Sequence, residues 1–225
     1  MQILLEDFHL IAVNKPAPLL TQGPPGVPSL EALVKEYIKQ KYEKPAGVYL
    51  GIPHRLDRPV SGVVLFARNS KAAARVAEQF RLHTVEKTYW TIVEGEVAGE
   101  TGEWRDFLHK IETEARVEVV EPTAPGAKEA ITQYRVVKRG PGRTLLELTP
   151  RTGRMHQLRV QAAKNGHPIL GDELYGSTLP FGPAAKLPRD RIVALHARRL
   201  SLTHPFSKEP LTIEAPSPEA FALEG

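Results

Sequence analysis

The chain has 225 residues, of which 41% are hydrophobic and 25% are charged, a composition typical of a globular protein with a substantial core. It contains no cysteine, which excludes a disulfide framework, a thiolate nucleophile and a cysteine-ligated zinc site. No apolar run approaches the roughly 18 residues of a membrane span, and Glu6 and Asp7 interrupt the first apolar stretch where a secretory signal would need continuity, so we expect a cytoplasmic protein without a membrane partner.

The net charge is only +4, but the positive charge is concentrated in one stretch. From Arg135 to Lys164 there are eight lysines or arginines and one acid, Glu147. A surface built from that stretch would attract a polyanion with an affinity that depends on salt. An ordinary solvated basic surface explains the stretch equally well, so charge alone leaves both interpretations open.

The hydrophobic pattern predicts more strands than helices. In chain order it predicts a strand at 9–14, a helix over 29–42, a strand at 62–68, a helix over 69–83, strands at 88–97, 131–139 and 144–149, a helix over 155–165 and a strand at 192–202. Because the helices do not follow every strand, we expect an α+β fold with a mixed, largely antiparallel sheet of about eight strands and flanking helices. We expect one domain over 1–225, with no internal repeat.

The helix ends carry capping signals. Ser29 is the predicted N-cap of the first helix, Asn69 or Ser70 caps the second, and Gly166 closes the third. The residues expected on the buried faces are Leu30, Leu33, Val34, Tyr37 and Ile38 in the first helix and Ala73, Val76, Ala77 and Phe80 in the second.

Four segments are more polar than a scaffold requires. They are HRLDRPVSG (54–62), EKTYW (86–90), RTGRMHQLR (151–159) and GHPILGDELYG (166–176). If the first is extended, Arg55 and Asp57 share one face, which as an isolated pattern is most often a surface ion pair contributing about 0 to 1 kcal/mol. In the third, a turn precedes a basic helix start whose free N–H groups favour a phosphate or a carboxylate.

In this order, the segments resemble the RluA family of pseudouridine synthases. That pattern has HRLD and SG before a strand, K-x-Y opening the next strand, then TGRxHQLR, G-x-PILGD-x-x-YG, and a late LHA followed by HP, which here occupy 195–197 and 204–205. The opening LLEDFHLIAVNKPAPLL is similar to the family's first catalytic-domain strand and loop. The resemblance runs from about residue 3 to about residue 206.

The resemblance implies the pseudouridine synthase fold and the isomerisation of specific uridines in ribosomal or transfer RNA to pseudouridine, without metal or cofactor. This reaction breaks the N-glycosidic bond and rejoins the base through C5. Because a stacked, paired uridine hides its reacting carbons, the nucleotide must flip out, at a cost of about a few kcal/mol. The alternatives are attack of the catalytic aspartate at C1′, its addition at C6, and a route through a ribose glycal.

The resemblance also assigns three catalytic residues. Asp57 matches the catalytic aspartate, and Arg159 matches the arginine that pairs with it, since a nearby opposite charge keeps a carboxylate ionised. Tyr89 matches the tyrosine that packs on the flipped base and is proposed to remove the C5 proton. The family fold implies a central cleft that holds Asp57, with Arg154 to Arg159 on the facing wall.

Five further residues are assigned to the substrate by the same resemblance. Arg55 would fill the gap left by the flipped uridine, because a guanidinium can stack in place of a base and hold phosphate. Leu158 would form an apolar pocket wall. Arg154, His156 and Lys87 would contact or support the RNA.

The sequence departs from the family pattern at two points. Val60 stands where the family has threonine, which removes a hydroxyl but no catalytic group. The sequence starts at the first catalytic-domain strand, so we expect no N-terminal S4-type domain and recognition of RNA by the catalytic domain itself, acting as a monomer. The alternative function is a non-catalytic RNA-binding module or RNA chaperone with the same fold.

Overall fold

The computed structural model describes residues 1–45 and 47–223, which form ten strands and three α-helices. The strands are β1 (Gln2–Glu6), β2 (Leu10–Lys15), β3 (Ser61–Ala67), β4 (Glu86–Glu94), β5 (Thr101–Lys110), β6 (Val117–Val120), β7 (Lys128–Gly140), β8 (Arg143–Pro150), β9 (Leu195–Thr203) and β10 (Pro210–Glu214). The helices are α1 (Leu30–Lys41), α2 (Ser70–Arg81) and α3 (Gln157–Lys164). The predicted α+β class with mixed, largely antiparallel strands is confirmed.

Four of these strands, β1, β5, β6 and β10, were not predicted from the sequence. They are short or carry charged residues at many positions, so their hydrophobic pattern is weak. Strand β5 forms because it pairs antiparallel with β7 along eight residues and with β6 on its other side. Whether such a strand forms depends on hydrogen bonding to a partner strand, which the local sequence does not predict.

The chain divides into two compact units, each made of two stretches of sequence. Unit 1 contains Met1–Glu86 and Ala197–Pro216, and unit 2 contains Lys87–His196 together with the described residues from Ser217 onward. The expected single domain over 1–225 stays a prediction.

Unit 1 is organised around the antiparallel pairs β1–β2, β2–β3 and β9–β10. Its core contains alternating residues of β2 and β3 and the buried face of α2: Leu10, Ala12, Val63, Leu65, Ala67, Ala72 and Val76. The β2–β3 register places Lys15 opposite Gly62. This pairing brings the end of β2 next to the segment that carries the HRLD motif.

Unit 2 is built on the antiparallel pairs β4–β8, β7–β8, β5–β7 and β5–β6. Helix α3 contributes Val160 to a core cluster with Leu108, Val117, Ala130 and Tyr175. This packing fixes α3, which follows the TGR motif, against the strands of the same unit.

The predicted helix caps are confirmed, and two predicted core positions are wrong. Ser29 Oγ accepts a hydrogen bond from the Ala32 amide, Asn69 Oδ1 accepts one from the Ala72 amide, and Gly166 is left-handed at φ +83°. Leu33 is 49% exposed. Ala77 is also exposed, and Ala72 is buried instead, because the buried stripe of α2 lies about one residue earlier than predicted.

No helix among residues 1–45 and 47–223 has the length and apolar character needed to cross a membrane.

Candidate active site

Asp57 lies in an irregular segment of unit 1 that is anchored on both sides of the carboxylate. The buried Leu56 bonds Thr21 through both backbone groups: its amide donates to Thr21 Oγ1 at 3.1 Å, and its carbonyl accepts from the same hydroxyl at 2.9 Å. The Arg58 carbonyl accepts from the Leu19 amide at 3.1 Å. The backbone around Asp57 is therefore held in place by the loop that follows β2.

The segment 54–58, considered above as an extended strand, forms no strand. The residues from His54 to Asp57 are irregular, and a hydrogen bond of 3.1 Å from the Val60 amide to the Asp57 carbonyl closes a turn before β3. Arg55 is exposed and Asp57 is half-buried. The motif is thus a shaped loop that presents one carboxylate and one arginine, and it is not part of a strand.

Two contacts fix the entry into β3. His54 Nε2 accepts a hydrogen bond of 2.9 Å from the Leu65 amide, and its ring stacks on Phe80 with centroids 4.9 Å apart. Gly62 has φ +115°, and a Cβ there would collide with the backbone of Ala197. Only glycine permits both this conformation and this close approach of β3 to the LHA segment.

Lys15 is a buried lysine beside this loop, and sequence analysis did not select it. Its ammonium donates to the carbonyls of Leu19 at 2.6 Å, Arg58 at 3.2 Å and Pro16 at 3.3 Å. Burial lowers the pKa of Lys15 to about 7, while the charge of Asp57 opposes this shift. Lys15 therefore ties the β2 loop to the residue after Asp57 and places a titratable cation near that carboxylate.

Strand β4 of unit 2 carries Lys87 and Tyr89 two residues apart. Alternation along a strand points both side chains to the same face. Both are half-buried, and Tyr89 lies opposite Leu148 in the register with β8. Lys87 Nζ donates to the Thr152 carbonyl at 3.3 Å, so it lies under the TGR turn.

The turn at 152–154 is held rigidly by the residue that starts α3. Gln157 Oε1 accepts from Thr152 Oγ1 at 2.8 Å and from the Arg154 amide at 3.0 Å. Thr152 Oγ1 also accepts from the Ile131 amide at 2.9 Å. At the start of α3 itself, the Gln157 amide donates to the Arg154 carbonyl at 3.3 Å, so one of the N–H groups predicted to be free is occupied.

Arg159 forms a buried, two-pronged ion pair with Asp172. Its Nε lies 2.6 Å from Asp172 Oδ2 and its Nη2 lies 2.7 Å from Oδ1. The side chains are 6% and 1% exposed. Asp172 therefore holds the Arg159 guanidinium in a fixed orientation.

The GDELYG segment also supplies a second support for Arg159. The Tyr175 ring centroid lies 5.2 Å from the Arg159 guanidinium carbon. The Tyr175 hydroxyl bonds His156 Nδ1 at 2.9 Å and accepts from the Val117 amide at 3.1 Å. His156 adopts a left-handed conformation at φ +50°, a strained geometry for a non-glycine residue that this network sustains. Leu158, on the same helix, is 7% exposed.

The eight predicted candidates are divided between the two units. Arg55 and Asp57 belong to unit 1, and Lys87, Tyr89, Arg154, His156, Leu158 and Arg159 belong to unit 2. The pairing of Asp57 with Arg159 and the catalytic role of Tyr89 stay predictions.

The basic stretch from Arg135 to Lys164 is partly neutralised within unit 2. Three of its members pair with acids: Arg135 with Glu147, Arg139 with Glu100 and Arg159 with Asp172. Within the described residues Arg151 and Arg154 have no carboxylate partner; they bond the Gln133 side chain and the Glu129 carbonyl. The positive charge that is not neutralised by an acid therefore includes the two arginines at the TGR turn.

Among the described residues, no three or more histidine, aspartate or glutamate side chains are grouped so that they could hold a metal ion. The expectation of a reaction without metal or cofactor stays a prediction.

Comparison with known proteins identifies the family of this chain. The family model described as RNA pseudouridylate synthase matches residues 9–164. The chain belongs to this family of RNA pseudouridine synthases. The predicted family and reaction class are thereby confirmed, because members of the family isomerise uridine in RNA to pseudouridine.

Two curated relatives and one solved structure place the chain within the family. The chain is 37% identical over 226 residues to "tRNA pseudouridine synthase C" of Salmonella typhi, with 96% of this chain and 85% of the relative covered. It is 34% identical over 222 residues to "Ribosomal large subunit pseudouridine synthase C" of Vibrio vulnificus, covering 96% and 66%. The structure titled "Human RNA Pseudouridylate Synthase Domain Containing 4" has a TM-score of 0.78 at 27% identity, covering 98% and 90%.

The titration of Lys15 leads to a prediction about stability in this pseudouridine synthase. Its pKa of about 7 lies below the ordinary 10.5, so between these values the unfolded chain binds more protons than the folded one. The free energy of unfolding therefore rises with pH in this window, by up to about 1.4 kcal/mol per pH unit. Lys15→Met removes this contribution, so wild type should gain stability relative to the variant between about pH 7 and pH 9 in urea unfolding.

The matched control is Lys71→Met, at an exposed position of α2, which should leave the pH dependence of stability unchanged. Parallel stability curves for wild type and Lys15→Met would show that Lys15 does not titrate in this window.

Proposed function

We propose that this pseudouridine synthase isomerises a uridine of transfer or ribosomal RNA with Asp57 as the catalytic aspartate. The support is the anchored loop in unit 1: backbone bonds at Leu56 and Arg58 hold the residues on both sides of a half-buried carboxylate. A side chain whose backbone is fixed in this way loses little freedom when a nucleotide binds, which is what positioning a reacting group requires. Asp57 begins the reaction at C1′, at C6 or at the ribose.

In the proposed mechanism Arg159 keeps Asp57 ionised and Tyr89 packs on the flipped base. The buried pair with Asp172 and the ring of Tyr175 support a single orientation of the Arg159 guanidinium. Once the base has rejoined the ribose through C5, the Tyr89 hydroxyl oxygen takes the C5 proton while its own hydroxyl proton passes to solvent. Leu158 forms an apolar wall of the pocket for the base. His156 supports the turn that precedes α3.

The proposed RNA contacts come from exposed or carboxylate-free cations. Arg55 is exposed, and in the part of the chain described its side chain forms no hydrogen bond or ion pair. It is therefore available to occupy the space of the flipped nucleotide. Arg154 and Lys87 contact the RNA backbone. The proposal includes a cytoplasmic, monomeric enzyme that needs no metal or cofactor.

The experiment that tests the function is tritium release from RNA labelled at uridine C5. Isomerisation replaces the C5–H bond with a bond to C1′, so every turnover releases one hydrogen, whichever uridine is the target. The RNA should come from cells that lack this protein, and transfer and ribosomal RNA should be assayed separately. Release from one fraction identifies the RNA class.

The relatives named for transfer RNA and for ribosomal RNA are similarly identical to this chain, so the separation of the two fractions decides between them. Tight, salt-sensitive RNA binding without release from either fraction would contradict the proposal and favour the non-catalytic RNA-binding module or chaperone.

A further inference from the structure

Lys87 is a half-buried cation in unit 2 that takes no part in the proposed chemistry at the base. Its ammonium donates to the Thr152 carbonyl at 3.3 Å, and within the described residues it has no carboxylate partner. An ammonium has three donors, so one carbonyl leaves it under-satisfied. Removing an unpaired charge from water is costly even when the burial is partial, so an anionic partner would stabilise this ammonium.

Burial also affects the protonation of this group. Desolvation lowers the pKa of Lys87, and no nearby acid opposes the shift. A bound anion would reverse it. Lys87 thus has the charge and the free donors of an anion site in the unliganded protein.

Gly153 places no side chain next to the Lys87 ammonium. A Cβ placed on Gly153 would lie 3.7 Å from Lys87 Nζ, so any larger side chain at 153 would cover the ammonium. The turn itself is held by Gln157, which bonds both Thr152 and Arg154. The position of Gly153 beside Lys87 is therefore a fixed feature of the turn.

The charged side chains around the turn at 152–154 are positive. Arg151 and Arg154 flank Gly153 and are exposed, and neither pairs with a carboxylate in the described chain. Elsewhere in unit 2, Arg135 and Arg139 are neutralised by glutamates. The surplus of positive charge at the turn selects for an anion.

We propose that Lys87 and the turn at 152–154 form a binding site for one phosphate group of the RNA backbone. Two residues along β4 is a distance of about 7 Å, so a phosphate at Lys87 lies close to the face of Tyr89 on which the flipped base is proposed to pack. The phosphate is one that adjoins the target nucleotide. This inference rests on the proposed function, since it uses Tyr89 as the base-contacting residue.

The test measures the salt dependence of RNA binding with unmodified transfer RNA and ribosomal RNA fragments as probes. One phosphate contact contributes about 0.7 to 0.9 to the slope of log K against log salt concentration. Lys87→Met, which keeps the length of the side chain and removes its charge, should lower the slope by that amount. Lys164→Met, at an exposed position on α3, should not.

Gly153→Ala is a second variant, which narrows access to the Lys87 ammonium but leaves its charge unchanged. Gly153 does not require a left-handed conformation, and the added methyl meets Lys87 at ordinary contact distance, so the variant should fold. It should lower the slope as Lys87→Met does. An unchanged slope in both variants, or an equal fall in Lys164→Met, would overturn the site.

The outcome is separable from that of the proposed function. If wild type releases tritium but Lys87→Met keeps the wild-type slope, the phosphate site is wrong and the reaction stands. If wild type releases no tritium but the slope falls only in Lys87→Met and Gly153→Ala, the phosphate site stands and the catalytic proposal is wrong.

Discussion

We expect Asp57→Asn to abolish tritium release from C5-labelled RNA and to leave RNA binding unchanged. Asparagine has the size of aspartate but cannot act as a nucleophile or as a base, so the rate should fall by about 10⁴-fold or more. The fold should persist, because the bonds that hold this loop come from the backbone at Leu56 and Arg58 and not from the carboxylate alone. Single-turnover release and equilibrium binding on the same RNA separate the two effects.

The matched control for this variant is Asp106→Asn in unit 2. Asp106 Oδ2 accepts a hydrogen bond of 2.8 Å from Gln161 Nε2, which the amide oxygen of asparagine can also accept. This variant should retain tritium release. Retention of most of the wild-type rate by Asp57→Asn would remove Asp57 from the mechanism.

The second large effect is expected at Asp172, the buried partner of Arg159. Asp172→Asn keeps the shape of the side chain but leaves the Arg159 guanidinium, 6% exposed, without this negative charge. Breaking a buried ion pair by removal of one partner costs about 3 to 5 kcal/mol. We expect a fall of that size in the free energy of unfolding, measured by urea denaturation, and at least about a tenfold loss of tritium release in the folded fraction, because Arg159 loses its fixed orientation.

The neighbouring residue supplies the control. Glu173 forms an exposed ion pair with Arg191, and Glu173→Gln should change stability by less than about 1 kcal/mol. A purely structural role for Asp172 would lower stability but leave the rate per folded molecule at the wild-type value. Equal stability of the two variants would show that the buried pair does not contribute as proposed.

Much of the fold could be predicted because its signals are local. The caps at Ser29 and Asn69 use side chains next to the helix start, and Gly166 closes the third helix through its left-handed backbone; Ser29 and Gly166 were predicted, and Asn69 was one of two residues predicted for its helix. The strands that were missed have weak patterns of their own. Strand β6, for example, has only four residues and forms because β5 lies beside it.

The candidate catalytic residues could be predicted for a different reason. Motifs such as HRLD, K-x-Y and TGRxHQLR keep their residue types together along the chain, so the resemblance identifies them without knowledge of the fold. Their supports carry no such signal: Gln157 lies within a recognised motif, yet only the structure shows that it caps the turn above Lys87.

The sequence by itself determined the family, the reaction class and the identity of the candidate catalytic groups, because these are encoded in short, ordered motifs. The tertiary structure decided which side chains support those groups. Lys15 reaches the Asp57 loop because the β2–β3 register sets it opposite Gly62, and Asp172 meets Arg159 because packing brings a loop onto α3. These contacts depend on register and on side-chain packing, which arise only when separate segments fold against one another.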